Sequence, residues 1–194
     1  MRAFADLLDR LIYTRARNAK LKLIGDYLRG TPDPDRGWAL AALTGEVDLP
    51  AIKPATIRAM VDSRVDPVLF RMSRDFVGDS AETVALIWPE PDAPVIGEPL
   101  RLADAVDRLA ALSRSDAPAV LGAMLDRLQA DERFALLKLA TGALRVGVSA
   151  RLAKTALAQA FGVDVATVEE VWHGLAPPYA ALFAWVEGRG AQPT

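Results

Sequence analysis

The sequence predicts an all-α protein, a compact bundle of roughly ten or eleven helices in two packed halves. Three observations carry that expectation. Apolar residues recur at the spacing of one helix face through most of the chain. No stretch alternates convincingly, as a half-buried strand does. Only a few residues separate successive helical segments, which suits close helical packing. Of the 194 residues, 52% are hydrophobic, so a sizeable core can be buried.

Phe4, Leu7, Leu8, Leu11 and Ile12 fall at i, i+3, i+4, i+7 and i+8 and share one face. Leu21, Ile24 and Leu28 continue in a second helix that ends near Gly30 and Pro32. Asp35 is placed to cap a short helix through Trp38 to Leu43, stopped by Thr44 and Gly45. Pro54 and Pro67 each suit the first turn of a helix. Ser80 is placed to cap a helix carrying Val84 and Ile87, which Pro89 ends. Pro89, Pro91, Pro94 and Pro99 mark residues 89–99 as a linker between halves 1–88 and 100–187. Helices resume with Leu102, Val106 and Leu109. Ser115-Asp116-Ala117-Pro118 starts a helix to about Gln129, and Asp131 caps the next, with Phe134, Leu137 and Leu139 apolar. After an interruption from Gly142 to Gly147, Ser149 caps a helix to Phe161 with Gly162 at its end. Asp164 caps another through Trp172, and Pro177-Pro178 starts a last one to about Val186. The small, polar residues 188–194 read as a linker. No repeat of 20–50 residues is visible.

Composition excludes several classes of function. There is no cysteine, hence no disulfide framework and no thiolate metal site, which fits a reducing cytoplasm. No apolar run is long enough to span a bilayer, and Met1 to Arg10 does not read as a signal peptide. His173 is the sole histidine, so no nucleophile–His–acid set is available. Glu169 and Glu170 are neighbours on different helix faces. No Gly-rich phosphate loop ends in Lys-Ser or Lys-Thr. The chain by itself therefore reads as having no catalytic residues and no metal site.

The net charge is −2, but its distribution is uneven. Residues 1–30 hold seven basic residues against three acidic; residues 133–163 hold five basic and no acidic; residues 75–132 hold four basic and twelve acidic. Such blocks suit a protein with one face turned to phosphates, or equally a set of solvated helix faces whose charges mix in space.

Three segments are candidates for anion contact. Gly142-Ala143-Leu144-Arg145-Val146-Gly147-Val148-Ser149 is a short turn with glycine near both ends, an arginine inside and a hydroxyl at the next helix start. Glycine lets backbone approach a partner, arginine offers a donor fork for phosphate, and a helix N-terminus favours an anion. A plain helix–turn–helix connection would look the same. Ser113-Arg114-Ser115 repeats the combination of hydroxyls and a cation before a helix, as an ordinary cap also would. Thr14-Arg15-Ala16-Arg17-Asn18-Ala19-Lys20 suits either a backbone grip or a solvated connection.

The stretch from Phe134 through Gly142-Ala143-Leu144-Arg145-Val146-Gly147 to Ser149, running on through Ala156 to Ala160, resembles the hallmark of the N-terminal DNA-binding domain of ATP-dependent DNA ligases. Gly78-Asp79 before a short helix resembles that family's Gly-Asp step, and Phe4 to Leu8 with Thr14 and Lys20 resembles its opening helix and loop. Order and spacing agree from about residue 2 to 187, with a length more like bacterial members.

The resemblance implies a helical domain, residues 1–187, that binds double-stranded DNA around a nick over the minor groove. Arg145, Gly147, Ser149 and Gly142 are the first candidates for DNA contact; Thr14, Lys20, Ser113 and Ser115 are the second. It implies a full-length DNA ligase acting in repair, replication or recombination, cytoplasmic and on the nucleoid. Nucleotidyltransferase and OB-fold domains of the same polypeptide would use ATP and Mg2+. The adenylylated lysine of that chemistry lies in Lys-x-Asp-Gly, which none of the five lysines here begins, so the chemistry is expected beyond residue 194, across the linker 188–194. The alternative is a helical protein-interaction domain without nucleic-acid binding, which suits the near-neutral charge and acidic middle.

Overall fold

Twelve α-helices and one short 3-10 turn form the regular structure of the described residues, 1–91, 96–142 and 144–194 of the computed structural model, and no strand is found among them. Pro94, one of the four linker prolines, lies outside the described residues. The helices are α1 (Arg2–Tyr13), α2 (Arg17–Gly30), α3 (Asp35–Thr44), α4 (Pro54–Arg64), α5 (Pro67–Val77) and α6 (Ser80–Ile87). They continue with α7 (Leu102–Ala110), α8 (Ala117–Leu125), α9 (Ala130–Thr141), α10 (Ala150–Phe161), α11 (Val165–Val171), the 3-10 turn Trp172–Gly174 and α12 (Ala180–Val186).

Local chemistry explains most boundaries. Pro54 and Pro67 begin α4 and α5, where a missing N–H costs nothing. Ser149 caps α10 through Leu152 N–H (3.1 Å), and Asp164 caps α11. Gly142 and Gly162 end α9 and α10 in the left-handed conformation. Three caps differ from expectation. Asp79, not Ser80, accepts from Glu82 N–H and caps α6. Gln129, paired with Glu132 in a capping box, opens α9 in place of Asp131. Asp35 is the first residue of α3 and not its cap. At α6 two adjacent polar residues compete for one role; at α9 the cap falls two residues before Asp131, and at α3 the cap position is Pro34, which makes no side-chain cap hydrogen bond. Helix α8 stops at Leu125, short of Gln129.

Contacts group the chain into two units that interleave along the sequence. One comprises Met1–Ala5 and Asp48–Ala143, the other Asp6–Val47 and Leu144–Thr194. The proline-rich stretch 89–99 thus lies inside the first unit and does not separate two halves at 1–88 and 100–187. Proline marks where helices stop; it carries no information on which helices pack together.

In the first unit α6 packs on α9 and α5, and α8 on α4 and α7. Met60, Val84, Val106, Leu121 and Leu136 are buried within it. Asp126 gathers both Arg64 guanidinium nitrogens (3.0 and 2.9 Å) and the indole N–H of Trp88 (2.9 Å).

In the second unit α10 packs against α2, α3 and α11. The approach to α2 is close: a Cβ on Gly25 would fall 3.1 Å from Ala160 Cβ. Ala153, Ala156 and Leu157 of α10 are buried, as are Leu21, Ile24 and Leu28 of α2. Arg36, only 5% exposed, lies 4.2 Å over the Phe183 ring and binds both Asp33 (2.7 and 2.8 Å) and Glu187 (2.5 and 3.0 Å). A buried guanidinium requires this degree of pairing. Arg36 and then Arg189 hold the Glu187 carboxyl at about 2, against an ordinary 4.5.

That depression links stability to pH. The folded carboxyl takes up a proton less readily than the unfolded one, so its stabilisation is complete above about 4.5 and lost as pH falls toward 2. Denaturant midpoints measured from neutral pH downward are expected to fall across that window. Glu187→Gln is expected to be less stable at neutral pH and to show a shallower acid dependence.

Candidate nucleic-acid interface

Most cations of the two positive sequence blocks have a partner within the protein, several of them in exposed ion pairs. Among residues 133–163, Arg133 is buried and donates to the Leu125 carbonyl (3.0 Å), and Lys138 pairs with Asp79. Arg151 lies 3.6 Å from Glu169, and the Lys154 ammonium lies 4.4 Å over the Trp172 ring. Arg145 alone of the five is exposed with no ion pair or hydrogen bond to any described residue. In residues 1–30, Lys22 and Arg29 share Asp26, Arg2 pairs with Asp131, and Lys20 is buried. Arg10, Arg15 and Arg17 stay exposed and likewise unpaired among the described residues. The four arginines left over all belong to the second unit.

Two of the four face one groove. Arg17, Leu144, Arg145, Gly147, Val148, Ser149 and Leu152 line an open depression in which no wall residue is acidic. Arg17 is the first residue of α2, and Ser149 caps α10, so the starts of two helices border it. Free N–H groups at such ends attract anions, and the two guanidinium groups add full charges. Phosphate fits this combination: it accepts several hydrogen bonds and meets no competing carboxylate.

Lys20 sets the groove's geometry. It lies one turn after Arg17 in α2 and is 9% exposed. Its ammonium donates to the carbonyls of Val146 (3.1 Å) and Gly147 (2.7 Å). Gly147 has φ +65°, and a Cβ there would fall 2.5 Å from the ammonium. The left-handed backbone favours glycine, and a side chain there would also displace the Lys20 ammonium from the turn. Val146 is buried beside it, which anchors the turn and leaves Arg145 outward.

The other expected contact residues are placed as follows. Gly142 ends α9 at φ +67° with open space around it and belongs to the first unit. Lys20 is spent on the turn carbonyls and positions the groove in place of lining it. The Thr14 hydroxyl donates to the Arg10 carbonyl (2.7 Å) and borders a second groove whose walls include Asp9 and Asp26. Those carboxylates disfavour an anion there. Ser113 and Ser115 lie in the first unit, their hydroxyls 2.8 Å apart, with Ser113 Oγ also donating to Asp116 (2.7 Å). Asp116 already puts a negative charge at that helix start. Arg17 belongs to the candidate segment Thr14 to Lys20 but not to the expected contact residues within it, although its i, i+3 spacing from Lys20 sets both on one side of α2.

Asp79 of the Gly-Asp step is structural. Burial works against its charge, but the Lys138 ammonium and the Glu82 and Ala81 N–H groups outweigh that and hold its carboxyl below the ordinary value. His173 is exposed in the 3-10 turn, and no group of His, Cys, Asp and Glu among the described residues could hold a metal ion. No described helix is long and apolar enough to cross a membrane. No protein-family model and no curated protein sequence matches the chain.

Proposed function

We propose that this chain is the DNA-binding domain of an ATP-dependent DNA ligase, gripping nicked duplex through sugar and phosphate so that other domains can seal it. The observation that carries this reading is the acid-free groove, bordered by the starts of α2 and α10, with two arginines, Arg17 and Arg145, unpaired among the described residues. It coincides with the Leu144-Arg145-Val146-Gly147 turn that resembles the ligase family's hallmark. A domain that must accept any sequence gains from backbone contacts and has no use for base edges. Arginine directed at a narrow minor groove fits the same demand. On this reading the nucleotidyltransferase and OB-fold domains, with ATP and Mg2+, supply the chemistry.

Hydroxyl-radical footprinting on a nicked duplex tests the reading. Protection of sugars on both sides of the nick is the expected result; uniform cleavage at saturating protein contradicts it. One observation favours the alternative of a protein-interaction domain, the exposed apolar face of α5.

A further inference from the structure

Helix α5 is amphipathic, yet its apolar side faces outward. Val68, Leu69, Met72 and Phe76 are all exposed, Met72 by 67% and Phe76 by 93%. At helical spacing these four fall within an arc of about 100°. No residue of α5 is fully buried; Phe70 and Val77 are half-buried on its other side, and α5 packs on α6. Singly exposed apolar residues are ordinary, but four on one helix face make a contiguous patch.

The charges beside the patch identify what it fits. Arg71 and Asp75 both lie on one flank of the stripe, and both are exposed without an ion pair or hydrogen bond among the described residues. In an antiparallel pair of identical helices the same flank meets itself. A two-fold axis near Met72 and Ser73 sets Leu69 of one copy opposite Phe76 of the other. The same axis brings Arg71 of each copy toward Asp75 of its mate, twice per pair. The face is therefore complementary to itself in both apolar pattern and charge.

We infer that α5 is a homodimerisation surface, pairing antiparallel with α5 of a second copy through Val68, Leu69, Met72 and Phe76. The inference is independent of the DNA reading, because α5 belongs to the first unit and the arginine groove to the second. An 11-residue helix buries less than the ~1,200 Å2 of a standard interface, so association is weak.

Sedimentation equilibrium of the full chain up to ~1 mM tests this, with far-UV circular dichroism as a check on folding. A monomer–dimer equilibrium is expected, and Phe76→Asp is expected to abolish it; so exposed a side chain contributes little to the monomer's own fold. Arg71→Asp and Asp75→Arg alone are each expected to weaken dimerisation about tenfold or more. The double exchange is expected to restore it to within about threefold of the original, since both pairs then reform. A chain that stays monomeric over the whole range overturns the inference, as does a dimer indifferent to Phe76→Asp. Failure of the double exchange to restore what the single exchanges remove overturns the antiparallel register.

Discussion

Replacing both Arg17 and Arg145 by alanine is expected to cut affinity for duplex DNA by about thirtyfold or more while leaving the fold intact. Each side chain is exposed and pairs with nothing among the described residues, so its loss removes no internal contact. Each guanidinium–phosphate contact contributes about 1–3 kcal/mol, and the two sit in one groove free of acidic walls. The salt dependence should change with the affinity. Every phosphate contact adds about −0.9 to the slope of log K against log salt, so the double variant should lose about two such increments. Arg145→Ala alone should cost about 1–3 kcal/mol of binding. Fluorescence anisotropy at several salt concentrations reads both quantities. A double variant that binds like the parent, with an unchanged slope, would show that this groove does not meet phosphate.

Lys20→Met should act differently, lowering stability and DNA affinity together. The side chain is buried and its ammonium holds two carbonyls of the turn, at 3.1 and 2.7 Å. Methionine fills similar space but leaves both acceptors without that donor, a loss of about 1–3 kcal/mol in stability. Freed from that clamp, the turn no longer holds Arg145 in one place, and ordering it on DNA costs binding energy. The discriminating readout is the salt slope. A residue that positions others lowers affinity with little change of slope in the fully folded protein, whereas a phosphate contact removes about one increment. Thermal melting separates the stability effect. A Lys20→Met protein as stable as the parent would contradict the structural role.

How much was legible in sequence depended on the range of the interaction. Helix positions follow from local periodicity, and Ser149, Gly142 and Gly162 stand where their chemistry places them. Adjacent candidates blurred the caps: Asp79 and Ser80 both suit a helix start, and the structure uses the aspartate. The charge blocks left two readings open because ion pairing is not local. Lys138 finds Asp79 59 residues away, and Arg133 is buried against the Leu125 carbonyl. Lysine is rarely buried, and Lys20 meets its partners 126 and 127 residues along the chain, so nothing near it in sequence announces the clamp. Only the packing of α2 on α10 brings Arg17 to the groove with Arg145. The interleaved units were hidden for the same reason, since prolines mark the ends of helices but not their partners. Helix α5 shows the converse limit. Its periodicity announces an apolar face, but not that the described residues leave that face uncovered.

The most direct test of the central claim is an anisotropy titration of the purified chain against a nicked duplex across a range of salt concentrations. Binding that weakens steeply with salt, with a slope that falls by about two when Arg17 and Arg145 are both removed, is the predicted result. Absence of binding at low salt, or binding with no salt dependence, would contradict a phosphate-gripping role and move the protein-interaction reading to first place.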